Sequence, residues 1–89
     1  MFALVCIDKP NAREIRAANR PAHLDHVDAS GVVTLAGPFL DADGNPTGSL
    51  IVLDVPDMAA AEAWAAADPY AKAGLFESVT IRAWKKVRG

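Results

Sequence analysis

The chain carries 89 residues, 52% of them hydrophobic, with 9 Lys and Arg against 11 Asp and Glu for a formal net charge of −2. One domain spanning 1–89 sits near the small end of what folds alone, and so apolar a chain has too little interior to hide its side chains without a partner. With no basic cluster beyond Lys85-Lys86 and no apolar run approaching the about 20 residues of a membrane span, neither nucleic acid nor a membrane is an expected partner.

Residues 2–8 read as the first strand, an apolar run closed by Asp8 with no basic region ahead of it as a signal peptide would have. Cys6 has no second cysteine to pair with, which fits a reducing cytoplasm, and it reads as a small buried apolar residue. Asn11 is a candidate cap for a short helical turn over 13–18. Pro21 cannot sit deep inside a helix but suits a first turn, so the main first helix is expected over about 21–29, stopped by Ser30-Gly31. Residues 32–36 read as strand two, broken by Gly37-Pro38. Residues 41–48 are dense in turn formers and predict a hairpin loop; Asp41, Asp43 and Asn45 resemble part of a calcium loop but lack the downstream Glu. Residues 49–55 form strand three. Asp57 is the N-cap of a second helix over 58–67, a short turn follows over 69–73, Gly74 stops it, and residues 76–84 alternate as strand four.

The order β-α-β-β-α-β is the ferredoxin-like arrangement, an α+β fold with a four-stranded antiparallel sheet and helices on one face. Two helices cover only one face of such a sheet. Yet strand one offers Phe2, Leu4 and Cys6 on one face and Ala3, Val5 and Ile7 on the other, and strand three is apolar on both faces too. A solvated face would alternate to polar residues. The uncovered face therefore predicts a homodimer, two sheets face to face in a dimeric α/β barrel.

Two residues are candidates to carry chemistry. Imidazole moves a proton near neutral pH, and a carboxylate orients it. His23 follows Pro21, where a positive helix end would favour the neutral ring. Asp68 shares a helical stripe with Ala61, Trp64 and Ala65, facing the sheet, and precedes Pro69 where a cap is due; one carboxylate oxygen could cap while the other faces a histidine. Trp64 and Tyr70 are candidates to line a pocket, Arg20 to hold an anionic group, and Gly37-Pro38 to let backbone approach a ligand. His26, between Asp25 and Asp28, reads as a solvated helix position. Two histidines and one cysteine give no metal-ligand spacing, and Gly44 and Gly48 make no phosphate loop, so neither metal nor cofactor is expected.

Asn19-Arg20-Pro21-Ala22-His23-Leu24, Leu35-Ala36-Gly37-Pro38, Gly48-Ser49-Leu50 and Asp68-Pro69-Tyr70-Ala71-Lys72-Ala73-Gly74-Leu75 together resemble the YciI family (YCII-related domain) over nearly the whole chain. The resemblance implies a ferredoxin-like dimeric α/β barrel and an active site built on a first-helix histidine and the aspartate of Asp-Pro-Tyr, here His23 and Asp68. A related branch includes a dehydrochlorinase acting on a chlorinated hydroxyquinol, and the wider superfamily includes muconolactone isomerase and small monooxygenases.

Three functions compete. One is a cofactor-free lyase, dehydrochlorinase or isomerase acting on a small metabolite, with His23 as acid or base and Asp68 orienting it. The second is a non-catalytic small-ligand binding or accessory module. The third is a structural dimerisation domain. A cavity holding both side chains separates the first two from the third.

Overall fold

In the computed structural model, which describes residues 1–89, seven elements follow one another: β1 (Phe2–Asp8), α1 (Arg13–Ser30), β2 (Val33–Leu40), β3 (Pro46–Leu53), α2 (Met58–Ala67), α3 (Pro69–Lys72) and β4 (Phe76–Ala83). The strands form one antiparallel sheet in the order β2-β3-β1-β4, the ferredoxin-like arrangement. No helix is long and apolar enough to cross a membrane.

The first helix differs from the sequence reading. It is continuous over Arg13–Ser30, with Pro21 in its interior rather than its first turn. Pro21 has no N–H to offer the carbonyl of Ala17. Arg16, bonded to Asp8 and Ser49 before the proline, and Val27, packed on the core after it, tie the helix to the sheet across that one missing bond. Asn11 does not cap it: Ala12 is the N-cap, without a side-chain bond, and Asn11 adopts φ 58° just before it. Gly31 ends the helix in the left-handed region at φ 68°, as its sequence position predicts.

Strand two also runs further than expected, through Gly37-Pro38 to Leu40. The strand order explains this, because β2 lies at the sheet's edge, where a missing N–H costs no ladder bond. The hairpin between β2 and β3 is built by Asp41, whose Oδ1 accepts from the backbone of Asp43 and Asn45. Gly48 must be glycine, because a Cβ there would collide with the Cys6 carbonyl on the neighbouring strand. Asp57 caps α2 by accepting from Ala60 N at 2.8 Å.

Residues paired across antiparallel strands share a face. The pairs Leu4↔Ile51 and Cys6↔Ser49 point to the helices, and the core gathers there: Leu4, Cys6, Ile51, Leu53, Ala61 and Trp64. The opposite face carries Ala3, Val5, Leu50, Val52, Leu35 and Phe39 across β1, β3 and β2, but Ser78, Thr80 and Arg82 on β4. The uncovered face is thus apolar over three strands and polar along one edge.

Candidate functional site

Helix α1 lays Arg16, Arg20, His23 and Val27 along one face, at spacings of four, three and four residues. That face looks across at β3, where Ser49 and Ile51 point up, and at edge strand β2. Between them lies a cavity of about 240 Å³ whose lining includes all of these residues, Ala36-Gly37-Pro38 and Tyr70. A larger, open depression of about 740 Å³ lies between residues 8–14 and the Asp41 turn, but it contains neither histidine nor Tyr70. The candidate site is the smaller cavity because the buried polar groups converge there.

His23 is buried, and its Nδ1 lies 2.8 Å from Asp68 Oδ1. Asp68 joins two helices: it is the C-cap of α2 and the N-cap of α3. The same Oδ1 accepts both the Tyr70 N–H, at 3.0 Å, and the histidine, so cap and contact share one oxygen rather than using one each. The carboxylate accepts Nδ1–H, which in the neutral ring assigns Nε2 as the bare acceptor. No protein group bonds Nε2, and no buried side-chain nitrogen or oxygen lacks a partner, so Nε2 reaches the cavity. His23 lies well inside α1, so the positive helix end does not act on it as its sequence position suggested.

Tyr70, 2% exposed, stacks on the imidazole with ring centroids 4.0 Å apart and planes 13° from parallel. Burial raises the Tyr70 pKa, opposed by the nearby cations of Arg16 and Arg20. Arg16, absent from the sequence reading, completes the stack with its guanidinium carbon 4.8 Å from the Tyr70 ring centre. Asp8 clamps it through two bonds, Nε to Oδ2 at 2.8 Å and Nη2 to Oδ1 at 3.0 Å, and Nη2 also donates to Ser49 Oγ at 3.0 Å. Burial works against the Arg16 charge, but the bonds and charge of Asp8 outweigh it and raise its pKa. The signal that could have revealed Arg16 is the helical spacing to Arg20 and His23; placing a helix start at Pro21 split that stripe in two.

Of the other expected site residues, Arg20, Gly37, Pro38 and Tyr70 line the cavity and Trp64 does not. Trp64 belongs to the core, donating from Nε1 to Ser30 Oγ at 3.0 Å. His26 is half-buried rather than solvated, with Nε2 3.2 Å from the Trp64 carbonyl. Beneath the site Cys6 is buried, and burial together with Asp68 and Asp8 pushes its thiol pKa up to about 12. No three His, Cys, Asp or Glu side chains are grouped to hold a metal.

Known proteins resemble this chain in sequence and in fold. A 5-chloro-2-hydroxyhydroquinone dehydrochlorinase from Burkholderia phenoliruptrix, solved in complex with 2,5-dihydroxybenzoquinone, superposes with a TM-score of 0.88 at 28% identity, covering 94% of this chain and 92% of that one. An antibiotic biosynthesis monooxygenase shares the fold alone, with a TM-score of 0.59 at 16% identity over 99% of this chain and all of the other. These neighbours place the fold in the dimeric α/β barrel superfamily. Protein YciI of Escherichia coli is 35% identical over 98% of both chains, and an uncharacterized protein of Haemophilus influenzae is 35% identical over 97% of both. The YCII-related domain matches residues 1–85, and the chain belongs to that family.

Proposed function

We propose that this protein is a cofactor-free acid–base enzyme of the lyase or isomerase type, acting on a small hydroxylated ring. The observation that carries the reading is the 2.8 Å bond from His23 Nδ1 to buried Asp68, with Nε2 left open to a cavity sized for one small ring. Asp68 fixes the tautomer and orients the ring, as the acid does in a Ser-His-Asp triad. Tyr70 holds the imidazole from one side, and Arg20 balances substrate charge.

In the reaction, Nε2 takes a proton from a hydroxyl or an activated C–H, and the freed electron pair forms a new double bond in the substrate. An isomerase returns that proton to another atom of the conjugated system. A lyase releases a leaving group such as chloride with its bonding pair, and the proton passes from Nε2 to water. Such a step gains about 10²–10⁴-fold from a positioned base. The likeness to a dehydrochlorinase at 28% identity supports this class over a purely binding role.

The test is incubation with 5-chloro-2-hydroxyhydroquinone, following chloride release and quinone absorbance. Release by the native chain that His23→Gln abolishes supports the reading. A His23→Gln protein that turns over at the native rate refutes it.

The working form in this reading is a homodimer in a reducing cytoplasm, closed through the uncovered sheet face. Ile7 and Leu35 are 41% and 46% exposed there in a single copy, so Ile7→Lys with Leu35→Lys costs one copy little and would split a dimer. Light scattering should give twice the mass of one chain for the native protein and one chain's mass for the variant. A native protein of one chain's mass overturns the assembly.

A further inference from the structure

The cavity is unequal in its hydrogen-bonding chemistry. Arg16 spends Nε and Nη2 on Asp8 and Ser49, and the rest of its guanidinium lies beside Tyr70 at the cavity wall. Ser49 is 4% exposed; its oxygen accepts from Arg16, and its own O–H donates to no protein group. The Arg20 guanidinium is uncommitted in hydrogen bonds and lines the same space, as does Tyr70. Asp8 lies behind Arg16, Asp68 behind His23, and no carboxylate is among the lining residues. The walls therefore offer donors and two permanent cations, against a single strong acceptor, His23 Nε2.

A site built this way disfavours a neutral ring that needs its own hydroxyls satisfied and favours a compact oxyanion with one proton left to give. Resting on the acid–base reading above, we infer that the ligand binds as a planar, conjugated oxyanion, of the hydroxyquinone or enolate kind, with its charge on Arg16 and Ser49 and its exchangeable proton at His23. Arg16 is the specificity-determining residue. Its fork is fixed before the ligand arrives, since Asp8 holds one edge and the Tyr70 face supports the plane, so little is lost in ordering it. The same fixed charge serves the chemistry, because the negative charge that develops when Nε2 removes a proton spreads through the conjugated oxygens toward the guanidinium. Arg20, exposed and unpaired, adds charge without fixing geometry.

The experiment is equilibrium titration with 2,5-dihydroxybenzoquinone, an acidic hydroxyquinone ionised at neutral pH, against hydroquinone as its neutral counterpart. The native protein should bind the anion at least about 10-fold more tightly, and added salt should weaken only the anion. Removing Arg16 alone strands Asp8, so the paired variant Asp8→Asn with Arg16→Gln is used. It should weaken the anion about 10- to 100-fold, the range of a lost charged hydrogen bond, and leave hydroquinone within about 3-fold. Should the pair fail to fold, the native preference, its salt dependence and a smaller loss in Arg20→Gln still decide the matter. Equal binding of the two rings, or no anion binding at millimolar concentration, overturns the inference, as does an unchanged Kd in the folded pair. His23→Gln separates this from the acid–base reading. It should keep the preference for the anion over hydroquinone while losing turnover; retained turnover sinks the acid–base reading alone, and lost anion discrimination in the native protein sinks this one.

Discussion

Two histidines three residues apart on α1 make a natural experiment. Both lie against an aromatic ring: His23 on Tyr70 at 4.0 Å, and His26 on Trp64 at 4.5 Å and 34°. Both reach another helix through one ring nitrogen. His23 meets a buried carboxylate, and His26 meets the backbone carbonyl of Trp64. The Trp64 indole in turn donates to Ser30, whose hydroxyl donates to Val27 O at 3.1 Å, closing a network that ties α1 to α2. A carbonyl can orient a ring, but it cannot counter a positive charge as a carboxylate does. His26 also has no place in the cavity, whereas His23 does. An aromatic neighbour is shared, so it does not by itself separate the two histidines. An acidic partner on one nitrogen and open space at the other belong to His23 alone, and the proposed chemistry rests on them.

The largest effect expected from this contrast is on turnover. Asp68→Asn keeps an oxygen for the Tyr70 N–H but removes the charge behind the imidazole, and it should lower kcat about 10²-fold or more. His26→Gln should leave kcat within about 2-fold. An Asp68→Asn enzyme at the native rate would show that the contact is only a cap, and equal losses in the two variants would erase the distinction between the histidines.

Next in size is a stability effect. Asp68→Ala removes the acceptor shared by His23 and the α3 N-terminus, at 1% exposure. A buried polar network broken on one side costs about 3 kcal/mol, which for a domain of this size lowers Tm by more than about 10 °C. His26→Gln, at a half-buried position with one long bond to a carbonyl, should cost about 1 kcal/mol. Thermal unfolding followed by circular dichroism separates them; a Tm fall for His26→Gln as large as that for Asp68→Ala would mean that both histidines serve the fold alike.

Much of this contrast was legible before any coordinates. His23 and Asp68 stand in short, distinctive segments, the strand parities announce an apolar second face, and Asp57 starts and Gly31 stops a helix by local rules that tertiary structure did not override. What stayed hidden has a common cause. Pro21 was read by its local preference, while the packed helix on either side carried the chain through it, and the break erased the Arg16–His23 stripe. Gly37-Pro38 reads as a strand stop only until β2 is known to be an edge. Trp64 shares the alanine stripe of α2 that faces the sheet, but which aromatic on that side meets the cavity depends on how α2 and α3 join at Asp68, and no periodicity contains that angle. His26 looked solvated between two aspartates because its partner is a backbone carbonyl, invisible in side-chain patterns.

The Trp64 network gives a smaller and cleaner test. Trp64→Phe keeps a large aromatic face for His26 and deletes the bond from Nε1 to Ser30. The loss should be about 1 kcal/mol, or about 4–8 °C in Tm, with KM and kcat unchanged. A change in KM would put Trp64 in contact with the ligand after all and return it to the site.

The last contrast is in alkaline behaviour, and it sits under His23 rather than His26. The Cys6 thiol titrates at about 12 in the folded chain, against an ordinary value of 9.0, because burial and then Asp68 and Asp8 oppose its ionisation. A group whose pKa is raised on folding holds its proton more tightly in the folded state. Its contribution is fully present below about pH 9 and drains away as the pH climbs toward about 12. Tyr70, also raised, adds to the loss in the same direction. Cys6→Ala should therefore flatten the fall in stability above pH 9 without removing it, while Trp64→Phe should lower stability by the same amount at pH 7 and pH 10. Denaturant unfolding at the two pH values reads both slopes. An unchanged alkaline fall in Cys6→Ala would mean that the thiol ionises freely, and that the floor of the site is wetter than its packing against Leu4 and Ile51 allows.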